Sequence, residues 1–176
     1  MNTTTIQEYK EFIKTTAIYP KDNAIEYLIL GLLGETGELC NTYKKVIRDN
    51  LPESEYLPKL KKELGDVLWY FYQLGNESEI FDIEIAFNKD ASYIPPKTSK
   101  LKTLSNTLIR LNTIINRNID YSFTVNNIPY LQLTKCLTTL IYYHLNSSIE
   151  EILQINIDKL SDRKERGVLG GSGDER

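Results

Sequence analysis

Hydrophobic positions along this chain recur at helical spacing, and strand-like alternation is almost absent. The first apolar run predicts a helix over about Thr4–Thr16, closed before Tyr19-Pro20 because the residue preceding proline leaves the helical region. A second helix opens at Asp22 or Asn23, both favourable caps, and continues to about Asp49. "NLPES" is a turn, and a third helix runs from Glu53 or Ser54 to about Gly75. Residues 76–99 read as irregular, and the double proline in "YIPPKTS" makes a loop. Leu101, Leu104, Leu108, Leu111 and Ile115 step alternately by three and four, a narrow stripe on a fourth helix over Lys100–Asn116. That stripe suits packing within the domain or a subunit contact. A fifth helix begins near Pro129 and ends near Asn146. Ser148-Ile149-Glu150-Glu151 reads as a capping box for a sixth, which runs to about Asp162. The expected architecture is an all-α bundle of about six helices in one domain, residues 1–166, followed by a flexible glycine-rich tail over 167–176.

The second helix carries "GLLGETGEL", three glycines and two glutamates in nine residues. With Gly31 as zero and about 100° per residue, Ile25, Leu28, Ile29, Leu32, Leu39, Tyr43, Val46 and Ile47 fall on an arc of roughly 60° to 160°, the core face. Glu35 falls near +40° and Glu38 near −20°, together at one edge of that stripe, with Gly34 near −60°. The glycines permit close helix contact, and bare backbone beside acids also leaves room for a ligand. Gly37, at about −120°, has no evident reason. The third helix repeats the arrangement: Leu57, Leu60, Leu64, Val67, Leu68, Phe71 and Leu74 form its apolar face, flanked by Glu63 and Asp66. Packed antiparallel, the two helices converge four carboxylates at the edge of their seam.

Clustered carboxylates repel unless a cation neutralises them. A hard divalent ion such as Mg²⁺, with Mn²⁺ as a substitute, suits oxygen ligands and keeps coordination positions for phosphate. A di-iron bundle needs Glu-x-x-His pairs, and the single histidine, His144, lies in none. Zinc is disfavoured for the same reason, and His144 reads as a surface or packing residue. The composition, 41% hydrophobic and 26% charged with a net charge of −3, provides no basic footprint for nucleic acid. No apolar run is long enough to span a membrane, and "MNTTTIQEYKEF" lacks a secretory core. Cys40 and Cys136 match no metal or redox spacing. A cytoplasmic protein is expected.

"GETGEL" together with "KELGDVLWY" resembles the ExxE–spacer–ExxD signature of the MazG-like all-α nucleoside triphosphate pyrophosphohydrolases, a superfamily that includes dimeric dUTPases and dCTPases. The likeness extends through "YKKVIRDN" and resumes in "SIEEILQINIDKLSDRKERGVLGGSGDER", similar to the Asn-x-x-Lys-Leu close of many members. Compact members pass almost directly from the ExxD helix to that last helix. Here residues 79–147 intervene as a helical insertion.

The resemblance implies an enzyme that cleaves a nucleoside triphosphate between its α- and β-phosphates, leaving monophosphate and pyrophosphate. It implies that Glu35, Glu38, Glu63 and Asp66 hold Mg²⁺, directly or through water, and that Glu35 or Glu38 is the general base. Lys45, at about −40° and one triphosphate's reach along the helix from Glu38, is a candidate phosphate ligand. Lys44 and Arg48 point further away. Asn156 and Lys159 are candidates for sugar and phosphate contacts, and Arg163, Lys164 and Arg166 add charge for a leaving pyrophosphate. Trp69 and Tyr72, off the main apolar arc, suit base stacking or an interface. The resemblance also implies a homodimer or homotetramer and admits the tail as a lid. Two other functions fit the same residues: a base-selective dUTPase- or dCTPase-like enzyme, and a non-catalytic helical interaction protein on this scaffold.

Overall fold

The computed structural model describes residues 4–78, 100–118 and 127–170. Within them six α-helices follow one another: α1 (Ile6–Lys14), α2 (Ala24–Asp49), α3 (Glu53–Ser78), α4 (Lys100–Asn118), α5 (Asn127–Thr138) and α6 (Ile149–Glu165). The described residues contain no strand, so the fold is the expected all-α bundle. Residues 79–99, the core of the expected loop, and 171–176, most of the expected tail, lie outside the described residues.

Local chemistry sets the helix ends. Thr5 Oγ1 accepts the Glu8 N–H and Glu8 Oε2 accepts the Thr5 N–H, a reciprocal cap on α1. A single 3₁₀ turn, Lys21–Asn23, leads from Pro20 into α2. α2 ends at Asn50, which takes the left-handed conformation (φ 49°) while the Leu51 N–H bonds back to the Val46 carbonyl. Ser148 caps α6 by accepting the Glu151 N–H at 3.2 Å. The second half of that expected capping box does not form. Ser147 Oγ and Lys61 Nζ hold the Glu151 carboxylate instead, each at 2.6 Å.

Gly31 faces Tyr70, Glu35 joins Asp66, and Thr42 reaches Glu63. Residue numbers fall along one helix as they rise along the other, so α2 and α3 form the antiparallel hairpin that their short connection requires. α1 and α6 pack on α3, and α4 packs on α2 and α5. The core runs through Leu28, Leu32 and Leu39 of α2, Leu60, Leu64, Leu68 and Phe71 of α3, and Ile152 and Leu153 of α6. Ile47, placed on the core arc by its helical angle, is 57% exposed, because no helix among the described residues covers that side of α2 near its end. Leu104, Leu108, Leu111 and Ile115 of α4 are buried within the chain, so this part of the stripe belongs to the domain interior rather than a subunit contact; the side chain of Leu101 lies outside the described residues. α5 does not continue as an α-helix to Asn146: Thr139–His144 widen into a π-turn, with the Leu145 N–H donating to the Leu140 carbonyl. His144 is a packing residue, buried with its Nε2 3.1 Å from Thr107 Oγ1.

Candidate functional site

Three carboxylates converge where α2 and α3 meet. Glu35 comes from α2, Glu63 and Asp66 from α3, and one oxygen of each lies within 4.8 Å of the others. All three side chains are partly buried, which strengthens their mutual repulsion. Their neighbours offset it. Asn156 Nδ2 donates to Asp66 Oδ1 at 3.1 Å, and Lys159 Nζ pairs with Asp66 Oδ2 at 2.5 Å. Thr42 Oγ1 donates to Glu63 Oε1 at 3.2 Å. An all-oxygen donor set at this spacing suits a hard divalent cation. Neither imidazole nor thiolate joins the group, which disfavours zinc.

A cavity of about 360 Å³ opens beside this cluster, between α2, α3 and α6. Glu35 and Asp66 form its acidic end, while Lys159 and Arg163 of α6 bring positive charge to the same space. Arg163 is only 8% exposed. Tyr27, Trp69 and Tyr70 supply an aromatic wall. The Trp69 ring meets Tyr70 edge-on at 4.8 Å, and its Nε1 donates to Thr16 Oγ1 at 2.9 Å, which fixes the indole plane. Burial, then neighbouring Tyr27 and the carboxylates of Glu35 and Asp66, push the Tyr70 phenol far above its ordinary range, so it stays neutral.

The chain after α6 completes the wall. Gly167 adopts φ 70°, its N–H bonds to the Lys164 carbonyl, and the Val168 N–H bonds to the Arg163 carbonyl. This paired cap needs a left-handed residue, which glycine adopts without strain. It turns the chain back so that Leu169 and Gly170 line the cavity, with Gly170 beside Ile18. These tail residues, expected to be flexible, are part of the site's wall.

The structure brings together Glu35, Glu63, Asp66, Lys159 and Arg163, and it places Asn156 directly behind Asp66. Asn156 is 1% exposed and turned toward Asp66 and Tyr9 rather than lining the cavity. Glu38 is exposed and stands outside the three-carboxylate group; Asn41 Nδ2 lies 3.5 Å from it. Lys45 is exposed and does not line the cavity. It shares a side of α2 with the acids, but it lies ten residues beyond Glu35, about 15 Å along the axis, whereas α6 crosses at the Glu35 end. Lys44 is exposed as well, Arg48 pairs with Asp49, and Arg166 pairs with Asp162 at 2.6 Å on the surface. Trp69 lines the cavity, but Tyr72 is buried in the core against Tyr9 and Phe71. Tyr27, Tyr70 and Tyr9 were not among the expected site residues. Tyr70 follows Asp66 by four and shares its helix face, a signal present in the sequence. Tyr9 carries no comparable local signal.

Gly31 has a steric reason. A Cβ there would collide with the edge of the Tyr70 ring, at its Cε1, so glycine is what lets α3 close on α2 at the cavity's edge. A Cβ on Gly34 or Gly37 would meet nothing within 4 Å.

Comparison with known proteins adds three findings. A family model described as the MazG nucleotide pyrophosphohydrolase domain matches residues 23–92. The Gene 37 protein of Mycobacterium phage L5 is 37% identical over 81 residues, covering 42% of this chain and 71% of that protein. No solved structure matches the chain. The family match spans α2 and α3 with their acids; Tyr9, Asn156, Lys159 and Arg163 lie outside it.

Proposed function

The chain belongs to the MazG-like nucleotide pyrophosphohydrolase family, and from that premise we propose that it hydrolyses a nucleoside triphosphate between the α- and β-phosphates, releasing monophosphate and pyrophosphate. The observation that carries this reading is a single cavity where a carboxylate cluster, two cations and an aromatic wall meet. Each part matches one part of such a substrate: metal-bridged phosphates, free phosphate charge and base.

In this reading Glu35, Glu63 and Asp66 hold Mg²⁺, or Mn²⁺ in its place, and Glu38 assists from the rim through water. The bound ion supplies Lewis-acid polarisation of the phosphoryl oxygens and an acidified water. Glu35, unlike Glu38, lines the cavity, and it takes the proton of the attacking water. Arg163 holds phosphate oxygens by charge-assisted bonds. Lys159 balances Asp66 before substrate arrives and lies on the same wall, within reach of the phosphate chain. Tyr27, Trp69 and Tyr70 stack the base.

The test is a nucleotide panel. Purified protein is incubated with Mg²⁺ and each of the common ribo- and deoxyribonucleoside triphosphates, and products are resolved by ion exchange. Monophosphate with pyrophosphate supports the proposal. No turnover of any nucleotide, or orthophosphate as first product, overturns it.

A further inference from the structure

Tyr9 lies at the end of a buried chain of hydrogen bonds that leads to the carboxylate cluster. Its hydroxyl donates to Asn156 Oδ1 at 2.7 Å, and Asn156 Nδ2 donates to Asp66 Oδ1 at 3.1 Å. Tyr9 is 0% exposed and Asn156 is 1% exposed. The direction of each bond follows from the chemistry. An ionised carboxylate accepts only, so Asn156 must turn its NH₂ toward Asp66. Its oxygen then faces Tyr9, which must donate. If the phenol hydroxyl is lost, the amide oxygen is left buried without that donor, and the amide loses one of the bonds that hold its plane.

A second observation points to the same contact. A Cβ on Gly65, the residue immediately before Asp66, would sit 3.1 Å from Asn156 Cβ and 3.4 Å from Nδ2. The first distance is tight enough that a methyl would push Asn156 back by a few tenths of an ångström, so glycine at 65 favours the close approach of Asn156 to Asp66. The glycine in "KELGD" and the tyrosine in "QEYKEF" thus serve one contact from two helices.

We propose that Tyr9, acting through Asn156, is a positioning residue for Asp66, fixing the orientation that this carboxylate presents to a divalent cation. The inference rests on the metal-binding reading of the cluster. It adds α1, which lies outside the family match, to the machinery of the site. Partners behind metal ligands typically change affinity by about 10- to 100-fold when removed. Tyr9 stands one residue further back, so Tyr9→Phe is expected at the low end, about 10-fold.

The experiment titrates the full-length protein with Mn²⁺ alone and follows free Mn²⁺ by electron paramagnetic resonance. The proteins compared are the parent, Tyr9→Phe, Asn156→Ala and the double variant, each checked by circular dichroism. Tyr9→Phe keeps the ring that packs edge-on against Tyr72 at 5.6 Å. If it nevertheless fails to fold, Gly65→Ala carries the same measurement, with weakened Mn²⁺ binding expected. Support is weaker Mn²⁺ binding in Tyr9→Phe, a larger loss in Asn156→Ala, and no further loss when both are combined. A structural role alone would lower the melting temperature of Tyr9→Phe and leave Mn²⁺ affinity within about twofold of the parent, and that result overturns the inference. Absence of Mn²⁺ binding by the parent would instead overturn the metal reading itself.

Discussion

Arg163 allows a functional and a structural role to be separated by sign. Its side chain is 8% exposed, lines the cavity and makes no ion pair among the described residues. Such a cation has lost hydration without a partner to compensate. The dipole of α6 favours a positive group in its last turn by about 0.3–1 kcal/mol, which offsets part of that cost. A phosphate in the cavity supplies the missing partner, and hydrogen bonds to charged groups contribute about 1.5–3 kcal/mol. Arg163→Met, which retains length and apolar contact, therefore moves two observables in opposite directions. Without nucleotide, removing the uncompensated charge leaves stability unchanged or raises it by about 1 kcal/mol, which at this chain length is about 2–4 °C in melting temperature. With nucleotide, the lost bonds raise KM about 10- to 150-fold. Calorimetry on the substrate-free protein and steady-state kinetics at saturating Mg²⁺ read the two effects. A melting temperature several degrees lower with KM unaltered would refute the reasoning and make Arg163 a structural residue.

The glycines of "GLLGETGEL" diverge in the same way. Gly31→Ala forces a methyl against the edge of the Tyr70 ring and is expected to cost about 1–3 kcal/mol; Gly37→Ala meets nothing and gains up to about 1 kcal/mol of helix propensity. Thermal melts giving both the same sign would contradict this account. Glu35→Gln is expected to lower kcat by about 10²- to 10⁴-fold with the helical circular-dichroism spectrum intact, and near-normal turnover would remove Glu35 as the base. Glu38→Gln is expected to raise the Mg²⁺ concentration needed for half-maximal rate, and an unchanged Mg²⁺ dependence and rate would remove Glu38 from the site. Leu30, Ile47 and Ile109, each more than half exposed, support our proposal of a homodimer or homotetramer; light scattering that gives a monomer at micromolar concentration would overturn it.

Of the four expected acids, Glu35, Glu63 and Asp66 come together as local periodicity suggested, whereas Glu38, one turn further along α2, stays outside the group. Glu35 sits at the edge of a stripe that reads directly from Leu28, Leu32 and Leu39, and Glu63 and Asp66 sit likewise beside Leu60, Leu64 and Leu68. An antiparallel hairpin then brings them together with no further information. Helical angle alone failed for Ile47 and Lys45. It tells which side of α2 a residue occupies, but not which length of that side another helix covers. Asn156 was a candidate for substrate contact from its motif, but its partners, Asp66 and Tyr9, were not legible. Its role depends on α6 crossing α3 at Gly65, a contact between residues 91 positions apart in "LGD" and "INIDK". Tyr9 was invisible for the same reason. Arg163 and Lys159 were identified through the terminal motif, and the crossing of α6 explains why they, rather than Lys45, share the cavity with the acids. The tail's composition suggested flexibility, but the left-handed Gly167 uses that same freedom to turn Leu169 and Gly170 onto the cavity wall.

We propose above all that the carboxylate cluster and the adjoining cavity form one metal-dependent site for cleaving the α–β bond. The most direct test is phosphorus NMR of a turned-over nucleoside triphosphate, with parent and Glu63→Gln proteins, in Mg²⁺ and in excess chelator. Equal amounts of monophosphate and pyrophosphate are expected from the parent in Mg²⁺, none in chelator, and loss of both products with Glu63→Gln. Diphosphate with orthophosphate, or turnover that survives chelation or the Glu63→Gln substitution, would contradict it.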